Sequence, residues 1–162
     1  MRASSRGLIL ILVFALLGSG CGPGVDLAKG LQIDVVDTGW FDAGIVDGQN
    51  KLVPTISFTV KNVSDQKLGS LQMMSIFFHA NDPNSEWSNG LLTVTGSEGL
   101  APGATTRVLT MKAPVGYTSE DPRADMLKNT RFVDALVRLV AKYGSTQWTR
   151  VKEVPIERKL IT

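Results

Sequence analysis

The chain has 162 residues, 43% hydrophobic and 20% charged, a size and balance for one folded domain and not for a disordered or fibrous chain. Its formal net charge of +2 comes from the start of the sequence: Arg2 and Arg6 stand in a segment without acids, and the other 15 basic residues match the 15 acids. A neutral body offers no electrostatic case for nucleic acid or an anionic surface as partner, and one cysteine leaves no disulfide to staple the fold.

Residues 1–20 have the layout of a signal helix and its cleavage region. Leu8 to Leu17 is an unbroken apolar run behind the two arginines, followed by Gly18, Ser19, Gly20 and Cys21. A helix needs roughly 20 apolar residues to span a bilayer comfortably, so this run suits a cleaved segment better than a permanent span. In Leu17, Gly18, Ser19, Gly20 and Cys21 the chain resembles bacterial lipoproteins, whose lipobox ends in a cysteine that is acylated and becomes the new N-terminus. Ser19 and Gly20 fit the small residues of that box, whereas Gly18 departs from it and Leu17 stands one place early. The resemblance implies lipidation at Cys21 and a partner in the lipid bilayer, with each buried methylene contributing about 0.8 kcal/mol. Gly22, in place of the aspartate that favours inner-membrane retention in Gram-negative lipoproteins, points to the periplasmic face of the outer membrane. The alternative is an ordinary signal peptide and a free secreted protein.

Residues 21–30 then read as the lipidated cysteine and a flexible tether, because GPGVDLAKG holds three glycines and a proline. From residue 31 to 162 the pattern is of short strands. Leu31, Ile33 and Val35 alternate with polar residues; Trp40 to Val46 continues that strand or starts another, and Asp47 to Asn50 makes a turn. Pro54, Ile56, Phe58 and Val60 alternate with Thr55, Ser57, Thr59 and Lys61, predicting one buried and one wet face. Asn62 to Gly69 reads as a loop, and Leu71 to Ala80, apolar on both parities, as a central strand covered on both faces. Asn81 to Gly90 reads as a polar loop, Leu91 to Thr95 as a short strand, Pro102 and Gly103 as a type II turn, and Thr106 to Met111 as the strand it feeds. Asp121 and Pro122 would open a helical turn reaching Lys128, before a strand from Arg131 to Tyr143. Gly144 to Gln147 would form a hairpin loop into Trp148 to Leu160, whose Pro155 and mixed charges suit an exposed edge.

About seven strands without a long helix predict an all-β fold, an antiparallel β-sandwich. The strand running into Asn62 and Ser64, the Leu100, Pro102, Gly103 turn and the closing hairpin resemble immunoglobulin-like domains of bacterial cell-envelope proteins, which are binding and structural modules. The resemblance spans 31–160 and implies a class of role, not an activity.

The search for chemistry returns little. His79 is the lone histidine, which leaves no zinc set of several imidazoles, and Ser75, farther along the strand on the same face, has no nucleophile elbow. His79 with Asn81, Asp82 and Glu86 could approach a cation, though a solvated strand end suits them better. Asp34, Asp37, Asp42 and Asp47 lack the spacing of a calcium loop. No catalytic residue, metal or cofactor is therefore expected. Trp40, Trp87 and Trp148 are the candidate ligand or partner contacts, since indoles anchor interfaces and stack on sugars; their other role would be to plug the ends of the sandwich. Trp148 and Tyr143 are expected to pair across the hairpin. The expected function is a membrane-anchored, non-catalytic binding or scaffolding module with an envelope protein as partner. The alternative is a glycan- or peptidoglycan-binding module using the tryptophans.

Overall fold

The computed structural model describes residues 24–161. The signal helix and Cys21 lie outside the described residues.

Leu31–Val46 forms β1 and Gln49–Asn62 forms β2, an antiparallel hairpin that runs the length of the molecule. Asp47 and Gly48 join them with φ of 51° and 78°. Two consecutive positive φ values are what a two-residue type I′ turn requires, and Asp-Gly meets the demand cheaply. Trp40 to Val46 thus continues the first strand. Extra residues at Val36 and at Ala43 and Gly44 bend this long ribbon.

The next strands are Leu71–His79 (β3), Asp82–Thr93 (β4), Leu109–Lys112 (β5) and Tyr117–Ser119 (β6). A short helix at Arg123–Met126 (α2) precedes Ala135–Tyr143 (β7), Thr149–Pro155 (β8) and Leu160–Ile161 (β9). They form two sheets: β5-β2-β1-β9, with β6 also on β2, and β4-β3-β7-β8. The fold is an all-β sandwich. Its interior is filled by inward parities such as Ile56, Phe58 and Val60 against Met73, Phe77 and Leu139, all fully buried. Each such side chain contributes about 1.5–3 kcal/mol by leaving water.

Several expectations change. The polar stretch from Asn81 to Gly90 is not a loop but most of β4: an edge strand whose first five residues are exposed needs no apolar parity there, and Pro83 sits where no ladder donor is required. β6 is too short for a period-two signal. β3 is central between β4 and β7, yet Met74 and Ile76 on its outer face are only half-buried, while Phe78 lies under the Arg138 guanidinium at 4.6 Å. β8 is the edge its charges suggested, but it stops at Pro155, and Leu160–Ile161 turns back to pair in parallel with Trp40 and Phe41. Gly39 admits that return, because a Cβ there would stand 2.7 Å from Ile161 and 2.9 Å from the Lys159 carbonyl. The Pro102–Gly103 turn forms as expected, with Gly103 at φ 76° and Ala104 N donating to Ala101 O at 3.0 Å.

The N-terminal end is held by one buried amide. Asn62 Nδ2 donates to Gln66 O and Leu100 O, each at 2.8 Å, while its Oδ1 accepts from Ser64 N at 3.0 Å and Ser64 Oγ at 2.7 Å. The tether residues in view are packed rather than loose: Leu27–Gly30 forms a helical turn (α1) capped by Asp26, Leu27 is buried, and Val25 N donates to Tyr143 Oη at 2.6 Å. Among the described residues no helix is long and apolar enough to cross a membrane. Asn62→Ala removes a fully buried side chain that makes four hydrogen bonds, although Leu100 O keeps Leu68 N and Gln66 O keeps Ser64 Oγ as donors, and it is expected to destabilise the domain by about 1–3 kcal/mol in urea unfolding, against no more than a few tenths for an exposed control such as Asn84→Ala.

Candidate binding cleft

At the far end of the β1–β2 hairpin the side chains are aromatic. Trp40, fully buried on β1, meets Phe132 edge-on at 4.6 Å, Tyr117 at 5.5 Å and Trp87 at 6.4 Å between ring centroids. Trp87 comes from the opposite sheet, where it is the extra residue of a bulge between the Phe77–Ser88 and Phe78–Glu86 pairs. That bulge turns the indole toward the other sheet. His79, at the end of β3, stacks on Trp87 at 4.4 Å and leaves its buried Nε2 without a partner among the described residues.

Beside this cluster is a cleft of about 220 Å³. One wall is β6 and the residues after it, Tyr117, Thr118, Ser119 and Asp121; the other is Met126, Asn129, Arg131 and Phe132. The first wall is set by Gly116, where a Cβ would lie 2.0 Å from the Leu52 carbonyl, so only glycine lets the chain cross β2 closely enough for β6 to pair. The second is strapped by Arg158, which donates to Phe132 O at 2.9 Å, to Leu127 O at 3.4 Å and to the Asp134 carboxylate at 2.5 Å, with its guanidinium over the Phe132 ring. The bond to Asp134 holds the Arg158 pKa above its usual value. Tyr117 Oη donates to Val133 O at 3.1 Å and joins the walls; burial pushes its pKa up. Asn50 Nδ2 donates to Asp121 O at 2.9 Å, and Arg123 of α2 pairs with Asp42 of β1, a contact that holds the Asp42 carboxyl below its usual range.

The tryptophans do not form a common surface. Trp40 takes the plugging role, Trp87 is half-buried beside it, and Trp148 lies at the other end of the molecule, 37% exposed, near Lys142. The expected Tyr143–Trp148 pair does not form: the β7–β8 ladder ends at Ala141 and Thr149, and Tyr143 is engaged with Val25. His79 belongs to the aromatic cluster rather than to a solvated loop, while Asp82 and Glu86 are exposed on β4. Ser75 is buried. Asp37 pairs with Lys159, Asp42 with Arg123, and no metal-binding group of three His, Cys, Asp or Glu residues occurs among the described residues. The sequence did not mark Tyr117, Asp121, Asn129 or Arg131 as site residues, because the first two are brought in by β6 and Asn50 of β2 and the last two by the connection that Arg158 holds.

No family model matches the chain, and no curated protein does. Among solved structures, the chain is similar to the one described as "X-ray structure of Northeast Structural Genomics Consortium target SoR45", at 16% identity and a TM-score of 0.45, over 80% of this chain and 88% of that one. A likeness of that degree carries no functional reading.

Two outcomes are expected. Gly116→Ala should cost about 1–3 kcal/mol and speed amide exchange at Tyr117–Ser119 more than in β3, measured by hydrogen exchange. Because its folded pKa is depressed, Asp42 contributes stability at pH above its unfolded value of about 4, which is lost as pH falls through the folded value. Asp42→Asn should therefore lower Tm at neutral pH and show a smaller loss of Tm on acidification below about pH 4 than the parent.

Proposed function

We propose that this chain is a cell-envelope lipoprotein, anchored through acylated Cys21, whose immunoglobulin-like domain is a non-catalytic binding module. The observation that carries the reading is the placement of the cleft. The N-terminal segment enters at the Leu31 end of the hairpin and the cleft lies near its turn, with β6 on Asn50–Leu52. Eleven strand residues separate the two levels, roughly 35 Å at about 3.3 Å per residue. A chain tethered to a membrane at one end would thus hold its cleft away from the surface, toward an envelope partner.

Strand order supports the immunoglobulin-like assignment. Hairpins β3–β4 and β7–β8 share one sheet, β1, β2 and β5 share the other, and the chain changes sheet after β2, β4, β6 and β8. The packed turn at Leu27–Gly30 leaves few residues between Cys21 and the domain, which would keep the N-terminal end close to the bilayer. The glycan alternative loses its main support, since the three indoles do not assemble into an exposed platform.

Mass spectrometry of the N-terminal peptide from membrane-extracted protein tests this. A peptide beginning at Cys21 and carrying a diacylglyceryl thioether is expected, and Cys21→Ser should move the protein to the soluble fraction. A free thiol on a soluble product would overturn the reading.

A further inference from the structure

The charges around the cleft are nearly all paired. Asp42 pairs with Arg123, Asp125 with Lys128, Asp134 with Arg158, and Asp37 and Glu157 with Lys159. The carboxylate of Asp121 and the guanidinium of Arg131 do not pair with each other or with any described residue, although they come from the two walls of the same cleft of about 220 Å³. The neighbouring polar groups are oriented by bonds that leave donors free. Asn129 Oδ1 accepts from Arg131 N at 2.9 Å, so its Nδ2 is unspent. Ser119 Oγ accepts from Asp121 N at 3.0 Å, so its proton is unspent.

We propose that the cleft binds a free amino acid with an apolar side chain, its carboxylate on Arg131 and Asn129 and its ammonium on Asp121. This rests on the binding-module reading and names its ligand. Arginine and a carboxamide present the donors a carboxylate takes, and an aspartate that is acceptor-only suits an ammonium. Met126, Tyr117 and Phe132 supply the apolar lining between the charges. At about 220 Å³ the cleft lies below the range of pockets for drug-sized ligands, about 300–1,000 Å³, and suits a ligand as small as one amino acid. Sugar stacking is disfavoured further because the rings are spent on one another. Tyr117 packs on Trp40, Trp87 and Phe132, and Phe132 lies between Trp40 and the Arg158 guanidinium. A ligand carrying only one charge would leave either Asp121 or Arg131 facing it without compensation, which is how the cleft would select a zwitterion.

The test is titration calorimetry of the full chain in detergent with L-leucine, N-acetyl-L-leucine, L-leucinamide and N-acetylglucosamine. Leucine should bind with a dissociation constant between about 10 µM and 1 mM, as suits so small a ligand. Blocking either its amine or its carboxylate should weaken binding tenfold or more. Arg131→Gln should bring leucine down to the level of its amide, and Asp121→Asn should bring it down to the level of its acetyl derivative. Both residues are exposed, so circular dichroism should be unchanged. Absence of leucine binding at 10 mM (about ten times the weakest expected constant), binding indifferent to both substitutions, or binding of the sugar in its place would overturn the proposal. Lipid on Cys21 with a silent titration would remove the ligand and leave the anchored module; leucine binding by a protein without lipid would do the reverse.

Discussion

Burial of one indole organises the end of the molecule that carries the cleft. Trp40 stands on β1, yet the rings that cover it come from the other sheet (Trp87), from β6 (Tyr117) and from the connection before β7 (Phe132). Truncating such a side chain typically costs about 3–5 kcal/mol, a large part of a small domain's stability. The gain has a cost, because Trp40 Nε1 has no partner among the described residues, a penalty of about 1–3 kcal/mol. Apolar burial exceeds that penalty, and the indole remains in the core.

Residues 113–134 contain only a three-residue strand and one helical turn, too little regular structure to hold a wall by backbone bonds alone. They are held instead by contacts distant in sequence: Gly116 against Leu52, Tyr117 Oη on Val133, and Arg158 on three groups of the α2–β7 connection. The opposite end uses different chemistry. There the Asn62 amide satisfies loop carbonyls, and α1 docks beside it through Val63 N donating to Gly30 O at 2.9 Å. Polar bonding at one end and aromatic packing at the other give the sandwich distinct poles, joined by the long β1–β2 ribbon.

Much of the sheet structure was legible because half-buried strands write their faces into the sequence. Pro54 to Val60 alternates and is buried on that parity, and the charges of β8 marked an edge. Asp47-Gly48 and Pro102-Gly103 were legible as turns because each needs a particular φ. β4 was not, since an exposed edge strand carries no apolar parity, and β6 was not, since three residues cannot show a period. The cleft was illegible for another reason. Its defining feature is that the unpaired Asp121 and Arg131 stand on the two walls of one cleft, and that placement is a property of the folded chain. The same holds for the tryptophans: one amino-acid type serves as plug, lining and exposed hairpin residue according to where its strand ends.

The central claim, that Trp40 packing sets the cleft end as a unit separate from the N-terminal pole, is tested most directly by hydrogen exchange on Trp40→Phe. Amides of Tyr117–Ser119 and of residues 127–133 should lose protection, while the Asn62 network and residues 27–33 keep theirs. Equal loss at both poles, or none at the cleft end, would contradict the account.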